Sequence, residues 1–437
     1  MLFFRMEIAK LYTFFRNATE ISTDTRKLKK GALFFALSGP NFDANQFAEQ
    51  ALDKGASAVI IDDPKLNLKK TNVVLVDNVL HTLQALASYH RKELKTPLIA
   101  LTGSNGKTTT KELIREVLSS KYKVLATQGN LNNHIGVPLT LLKLKPDHEI
   151  GIIEMGANHP GEIATLSEIV NPNWGFITNF GKAHLEGFGS LDGVIRSKSE
   201  LYVHLINNKQ NILINADDSE QRKQTQNYKV SSFGQTNKAD FVWENLHLSP
   251  EEGIEIKFEG QNYLSRLYGS YNTNNLAAAL SFGALFKVPT DKIRKVLLKY
   301  VSENNRSQII SIRQTVYILD AYNANPTSML AALQSFNNKE SSNKAVILGD
   351  MLELGSVSAE EHQSLLKLCL KLSFKKIIVI GSNFNAITLK NDRILKFKNL
   401  QEFKKTINHS NWNYSHVLIK GSRALQLENL IPFFKSI

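Results

Sequence analysis

The chain has 437 residues, 42% of them hydrophobic, so two to four domains with substantial cores are expected. Its single cysteine, Cys369, excludes a disulfide framework or a cysteine-ligated zinc site and fits a reducing compartment. The formal charge of +13 admits a nucleic-acid partner, but the lysines are scattered and no dense basic run alternates with aromatics. A solvated lysine-rich face, or attraction of anionic substrates, fits better.

No run reaches the roughly 18 apolar residues of a membrane span. The start, Met1 to Lys10, lacks a long apolar stretch with a small-residue cleavage site, so no signal peptide is expected and Met6 is an alternative start. A cytoplasmic protein is the expectation.

Residues 1–94 read as a small α/β domain. Strands are predicted over 32–37, 58–62 and 73–77, and helices over 44–54 and 81–94. The polar run Ser22-Thr23-Asp24-Thr25-Arg26 precedes the first of these strands. It can hold a phosphate or nucleoside, or be a capped loop. Thr96-Pro97 breaks the helical pattern and sets a boundary near 95.

Residues 95–308 begin with the apolar run Leu98–Leu101, then Thr102-Gly103-Ser104-Asn105-Gly106-Lys107-Thr108-Thr109, then an amphipathic helix over 111–120. A buried strand, a glycine-containing turn and a helix start make a phosphate site, because free N–H groups there carry partial positive charge. Lys107 can reach terminal phosphates and the Thr108 hydroxyl can ligate Mg²⁺. The common spacing G-x-x-x-x-G-K-[ST] needs glycine at 101, where this chain has leucine. The alternative is an ordinary glycine-rich turn.

Strands follow at 124–126, 150–156, 174–179 and 211–215, with helices at 161–170 and 191–206. Such alternation argues for a mostly parallel sheet with helices on both faces and a ligand beyond the strands' carboxyl ends. Glu154 ends a strand, as a metal ligand or a salt-bridge partner. His184 follows another strand; it is a less typical Mg²⁺ ligand, and a lone histidine is more often structural. Lys198 falls in mid-helix, where a lysine usually faces solvent. If desolvated, its lowered pKa would allow reaction with CO₂ to an anionic carbamate able to ligate Mg²⁺. Between 228 and 270, alternating patterns predict an antiparallel insert. A helix rich in amides then opens near Asn272 and Asn275, another covers 291–300, and Asn304-Asn305-Arg306 closes the domain.

Residues 309–437 read as a second α/β unit. Strands are expected at 316–320, 345–348, 376–380 and 416–419, and helices at 328–336, 359–372, 400–407 and 425–434. Asp320 ends a strand and can face an interdomain cleft. Asn323 and Asn325 suit a peptide-like ligand, or cap the helix that Pro326 opens. Lys420-Gly-Ser-Arg423 offers two cations for a carboxylate or phosphate.

Taken together, these segments resemble the Mur ligases of peptidoglycan synthesis. The likeness is carried by Ser22–Arg26, the loop Thr102–Thr110, Asn130-Leu-Asn-Asn-His-Ile-Gly-Val-Pro138 and Glu154-Met-Gly-Ala-Asn-His-Pro-Gly161. Ala183-His-Leu-Glu186, Asp320-Ala-Tyr-Asn-Ala-Asn-Pro326, Leu348-Gly-Asp-Met-Leu-Glu-Leu-Gly355 and Lys420–Arg423 complete it. The loop without glycine at 101 is that family's own pattern.

The resemblance implies a three-domain α/β fold: a central P-loop domain, a C-terminal Rossmann-like domain and a small N-terminal domain. It implies ATP-dependent, ADP-forming amide ligation through an acyl phosphate. The Asn-Ala-Asn-Pro and Gly-Asp-Met-Leu-Glu-Leu-Gly segments resemble the branch that joins D-alanyl-D-alanine to UDP-N-acetylmuramoyl-tripeptide.

Ser22 to Arg26 would then lie near the uridine nucleotide. Thr102 to Thr109 would bind ATP, with Asn272 and Asn275 near adenine and Arg306 closing from the hinge. Thr108, Glu154, His184 and a carbamylated Lys198 would ligate two Mg²⁺. Lys107, His184, Lys198 and Asp320 would serve catalysis, and Asn323 and Asn325 the dipeptide. Tyr271 stands where the family often has histidine. A monomer is expected. Alternatives are the ligase that adds the third stem residue, a folylpolyglutamate synthase, a non-catalytic homologue, or a kinase or NTPase using the loop alone.

Overall fold

The computed structural model describes residues 7–66, 71–249, 253–302, 305–341, 343–407 and 412–436. The alternative start at Met6, and Asn304 of the closing segment, lie outside them.

Four parallel strands, Ile21–Ser22, Leu33–Phe35, Ala58–Ile61 and Val73–Leu75, form the first sheet in that order. Leu33 to Phe35 and Ala58 to Val59 are fully enclosed, which is why they read as unbroken apolar runs. Helix Val79–Glu93 is capped by Asn78, whose side chain accepts from the His81 N–H. Its Leu83 and Leu86 share one core with Val137, Leu141, Ile163 and Leu166 of the following region. Arg91 reinforces the join by donating to the Val170 and Asn171 carbonyls and to Asn173 Oδ1. The apolar core is therefore continuous across residue 95.

The second sheet has nine strands, ordered Gln261–Ser265, Gly253–Phe258, Phe241–Ser249, Ser231–Gly234, Asn211–Asn215, Trp174–Ile177, Leu98–Thr102, Ile150–Glu154 and Val124–Ala126. Leu98–Thr102 lies between Trp174–Ile177 and Ile150–Glu154, parallel to both. The carboxyl ends of these three strands are adjacent, and the site is built there. The antiparallel insert exists as Phe241–Ser249, Gly253–Phe258 and Gln261–Ser265, but it is not a separate unit. Ser231–Gly234 runs parallel to both neighbours and joins the insert to the central sheet. That short strand carries only Phe233 as a fully buried apolar side chain, too little for a periodicity signal.

The third sheet runs Gln308–Ile312, Thr315–Asp320, His416–Lys420, Lys344–Gly349, Lys376–Ile380 and Ile394–Phe397. All neighbours are parallel except the first pair. The first and last strands escape the sequence pattern because their side chains are mostly half-exposed. The helix expected over 425–434 is broken into Arg423–Leu425, Leu427–Asn429 and Leu430–Lys435, with Gln426 left-handed at φ 50°. No helix of the described residues is long and apolar enough to cross a membrane.

Candidate active site

The loop after Leu98–Thr102 turns sharply into helix Lys107–Ser119, one turn earlier than sequence predicts. Two glycines make the turn. Gly103 sits at φ 142°, where a Cβ would meet Thr178 Oγ1 at 2.0 Å, and Gly106 sits at φ 80° against the Asn275 side chain. The loop is held from the neighbouring strand end. Ser104 Oγ donates to the Gly181 carbonyl and accepts from its N–H, at 2.8 and 2.9 Å. Thr178 Oγ1 and Asn179 Nδ2 both donate to the Asn105 carbonyl.

Lys107 folds back over this loop, donating to the Gly103 carbonyl at 2.6 Å. Burial lowers its pKa and Arg306 adds to the effect, while Glu154 opposes it. Lys107 also reaches the Ser104 carbonyl at 3.4 Å, so a phosphate would replace two loop carbonyls as its acceptor.

Glu154 ends the adjacent strand and is 1% exposed. Its Oε1 accepts from Asn132 Nδ2 at 2.8 Å and from Thr108 Oγ1 at 3.2 Å. Oε2 is buried with no hydrogen-bond partner. The ammonium of Lys111 stands 4.0 Å away, beyond hydrogen-bond reach, donating to the Thr127 carbonyl. An unpartnered carboxylate oxygen beside a threonine hydroxyl is a hard-oxygen donor pair. Mg²⁺ takes one or two protein carboxylates and fills its shell with phosphate and water oxygens, so the set fits. Among the described residues no group of three or more His, Cys, Asp and Glu gathers around one point.

Lys198 lies fully buried in helix Leu191–Asn207 rather than facing solvent. Its Nζ donates to the Ala157 carbonyl at 3.2 Å and lies 5.1 Å from the Phe188 ring centre. Burial, and then the charge of Lys107, drive its pKa well below the ordinary lysine value, against Glu162 and Glu200. The His184 ring also packs against Phe188, edge to face, ring centres 6.4 Å apart. Phe188 thus brings His184 and Lys198 into one neighbourhood. No hydrogen bond or ion pair among the described residues joins His184 to Glu154 or Thr108.

Asn275 donates to Asn272 Oδ1 and accepts from Thr110 Oγ1, so these two buried amides brace the start of the phosphate-loop helix. The Arg306 guanidinium stacks on Tyr322 at 3.6 Å from its ring centre, and its Nε is buried without a partner. It borders an open cleft of about 720 Å³ that Thr108, Thr109, Glu112 and Thr127 also line.

The C-terminal sheet presents its own carboxyl ends to this site. Asp320 pairs with buried Lys420 at 2.6 Å and accepts from the Ser307 N–H. Arg423 is likewise paired, with Glu428 at 2.5 Å, so both cations of 420–423 are internally neutralised. Asn325 caps helix Pro326–Asn337 in a capping box with Ser328, and its Nδ2 donates to Asn105 Oδ1 at 2.7 Å. Capping and cross-domain contact therefore coexist in one amide. The side-chain oxygen of Asn323 accepts from the Ala324 N–H.

In the first sheet, Ser22 to Arg26 stand apart from these groups. Asp24 and Arg26 form a two-pronged pair, both contacts 2.9 Å, which lowers the Asp24 pKa to about 2. Arg26 is 87% exposed. Ser22 bonds back to Asp24, and Lys54 holds the Thr25 carbonyl. Sequence reasoning gave Lys111 no role and took Asn132 only as part of an amide-rich, ligand-facing loop; both shape the surroundings of Glu154. A lysine one turn into an amphipathic helix normally marks the wet face; here it is fully enclosed.

Comparison with known proteins now adds to this geometry. Residues 101–283 match the Mur ligase middle domain, residues 305–423 the Mur ligase glutamate ligase domain, and residues 17–91 the Mur ligase family catalytic domain. The chain is 33% identical to the UDP-N-acetylmuramoyl-tripeptide–D-alanyl-D-alanine ligase of Bacillus subtilis, covering 94% of this chain and 92% of the relative. Its likeness to the Escherichia coli enzyme of that name is also 33%, with the same coverages. The crystal structure of MurF from Acinetobacter baumannii superposes with a TM-score of 0.88 at 30% identity, covering 98% of each chain. MurF from Thermotoga maritima in complex with ADP gives 0.85 at 26% identity, covering 97% and 98%. A folylpolyglutamate synthase from Thermotoga maritima gives 0.59 at 13% identity, covering 82% and 92%, a likeness of fold alone.

Proposed function

The chain belongs to the Mur ligase family, and from that premise we propose how its own residues carry out the reaction. It is an ATP-dependent, ADP-forming ligase that joins D-alanyl-D-alanine to UDP-N-acetylmuramoyl-tripeptide in peptidoglycan precursor synthesis. The observation that carries the assignment of residues is the phosphate loop beside Glu154, whose buried Oε2 has no partner, at adjacent strand ends.

A carboxylate is a poor acyl donor. Its oxygen attacks the γ-phosphorus of ATP, the β–γ bridge breaks toward ADP, and an acyl phosphate forms. The dipeptide amine then adds to the acyl carbon, loses a proton, and the tetrahedral intermediate expels inorganic phosphate. Thr102 to Thr109 cradle the phosphates, with Lys107 swinging from the Gly103 carbonyl to the transferred group. Asn272 and Asn275 brace the loop near the adenine, and Arg306 and Asp320 approach from the hinge and the C-terminal unit. Thr108, Glu154, His184 and Lys198 would hold Mg²⁺, two ions in all, with Lys198 as a carbamate. Bound there, Mg²⁺ would supply neutralisation of the phosphate charge.

Residues 1–94 take the UDP portion through Ser22, Thr23, Asp24, Thr25 and Arg26. Residues 95–308 take ATP, and residues 309–437 close over it and receive the dipeptide near Asn323 and Asn325. Closure keeps water from the acyl phosphate. We further propose a monomer working in the cytoplasm.

The test is a product mass after incubation with ATP, UDP-N-acetylmuramoyl-tripeptide and D-alanyl-D-alanine. ADP release and the ligated mass are expected. ADP release that depends on free lysine instead would overturn the substrate assignment, and Lys107→Ala retaining ADP formation would overturn the loop assignment.

A further inference from the structure

His184 and Glu353 come from different sheets yet meet at 2.5 Å, Nδ1 to Oε2. Among the described residues Nδ1 has no other hydrogen-bond partner, so Glu353 is the group that faces it. A second contact locks the same loop, because the Glu186 N–H donates to the Glu353 carbonyl at 3.1 Å. Both residues hold left-handed backbone, φ 51° at His184 and φ 62° at Glu353. Non-glycine residues adopt that region at a cost, and two facing each other mark a contact that the fold sustains.

The loop bearing Glu353 is itself anchored. Asp350, 2% exposed, accepts from the Asn383 and Phe384 N–H groups, and the Met351 N–H donates to His362 Nε2. The backbone leading to Glu353 is thus tied down two and three residues upstream, while its own side chain is half-exposed.

We propose that Glu353 is the positioning residue of His184: it fixes the imidazole through Nδ1, so that Nε2 is the atom presented to a divalent cation. The inference rests on the reading of His184 as a metal-site residue. It adds that the C-terminal unit completes the site, since the fixing carboxylate arrives only when that unit is docked. A carboxylate on the far nitrogen sets the tautomer and orientation of a ligating histidine, and its loss typically costs 10–100-fold in metal affinity.

The probe is Mn²⁺ binding followed by electron paramagnetic resonance on the full chain with ADP, together with ring ¹⁵N spectra of His184 in the metal-free protein. Glu353→Ala is expected to weaken Mn²⁺ roughly 10–100-fold and to turn a single Nδ1-protonated ring signature into a tautomer mixture. Glu353→Gln keeps an acceptor for Nδ1–H and is expected to recover most of both readouts. Glu361→Ala cuts the separate Lys182–Glu361 pair across the same interface and should change neither. Unaltered Mn²⁺ affinity and ring signals in Glu353→Ala overturn the proposal, as do equal losses in Glu353→Gln or Glu361→Ala, which would mean that docking alone matters. His184→Asn separates the levels: if it leaves Mn²⁺ affinity intact, the metal assignment itself fails and this inference falls with it.

Discussion

Replacing Lys198 with methionine should make the metal-free protein more stable while abolishing ligation. Lys198 is fully buried, and among the described residues one hydrogen bond, one ring contact and the more distant charges of Glu162 and Glu200 compensate its ammonium. The effective penalty for burying an ion is several kcal/mol. The bond to the Ala157 carbonyl returns about 1 kcal/mol and the contact with Phe188 about 1 kcal/mol. Methionine matches the stem in length to within an atom and fills the same space, so the net gain is about 1–2 kcal/mol. For a chain of 437 residues that corresponds to a rise in melting temperature of roughly 1–2 °C. The assay is thermal unfolding of parent and variant in CO₂-free buffer from pH 7 to pH 10. The sign of the pH dependence follows from the lowered pKa. Between the folded value and the ordinary lysine value, the unfolded chain holds one proton more, so the parent gains stability as pH rises. The variant has no such slope, so its advantage must shrink toward pH 10. A variant that melts below the parent at pH 7, or an advantage that is constant with pH, would refute the reasoning. Lys198→Ala, in contrast, should regain part of its activity with a short carboxylic acid, if a carbamate is the working form.

Gly103→Ala should cost about 1–3 kcal/mol in backbone strain and displace the phosphate loop, because its Cβ would meet Thr178 Oγ1 at 2.0 Å. The apparent KM for ATP should rise about tenfold, and an unchanged value would refute the loop geometry. Lys344→Met removes the ammonium that donates to the carbonyls of Asn337, the last residue of helix Pro326–Asn337, and of Lys339 just past it. A loss of about 2 kcal/mol in unfolding stability with unchanged KM for ATP is expected; a fall in ATP binding instead would contradict a purely structural role. Arg26→Ala should raise the KM for the UDP substrate more than for ATP, with stability within about 0.5 kcal/mol because the side chain is exposed. Equal effects on both substrates would make Arg26 structural.

The phosphate loop and Glu154 were legible because an apolar run entering glycine, lysine and threonine has few other uses, and because strand ends converge in a parallel sheet. Lys198 was legible as a residue but not as an environment: a mid-helix lysine reads as wet, and only packing against Phe188 and Ala157 makes it dry. Glu353 lay inside a quoted segment, yet nothing local says that its carboxylate crosses to His184. That contact is set by how two sheets dock. The dual use of Asn325 was half visible, as a helix cap, since Pro326 and Ser328 follow it; its bond to Asn105 is tertiary. Short strands such as Ile21–Ser22 and Ile394–Phe397 carry too few enclosed side chains to stand out.

The two joins around the central sheet differ in kind. Toward the N-terminal sheet the connection is greasy and wide, with Leu83 and Leu86 sunk in a shared core and Arg91 riveted to three groups. Toward the C-terminal sheet, Tyr268, Tyr271 and Leu185 touch the apolar core. The rest is polar: Asn105 with Asn325, Lys182 with Glu361 and Thr327, and His184 with Glu353. Water can replace each of those polar partners, whereas it cannot replace buried leucine. Parting the join toward the C-terminal sheet would therefore expose less apolar surface than parting the join toward the N-terminal sheet.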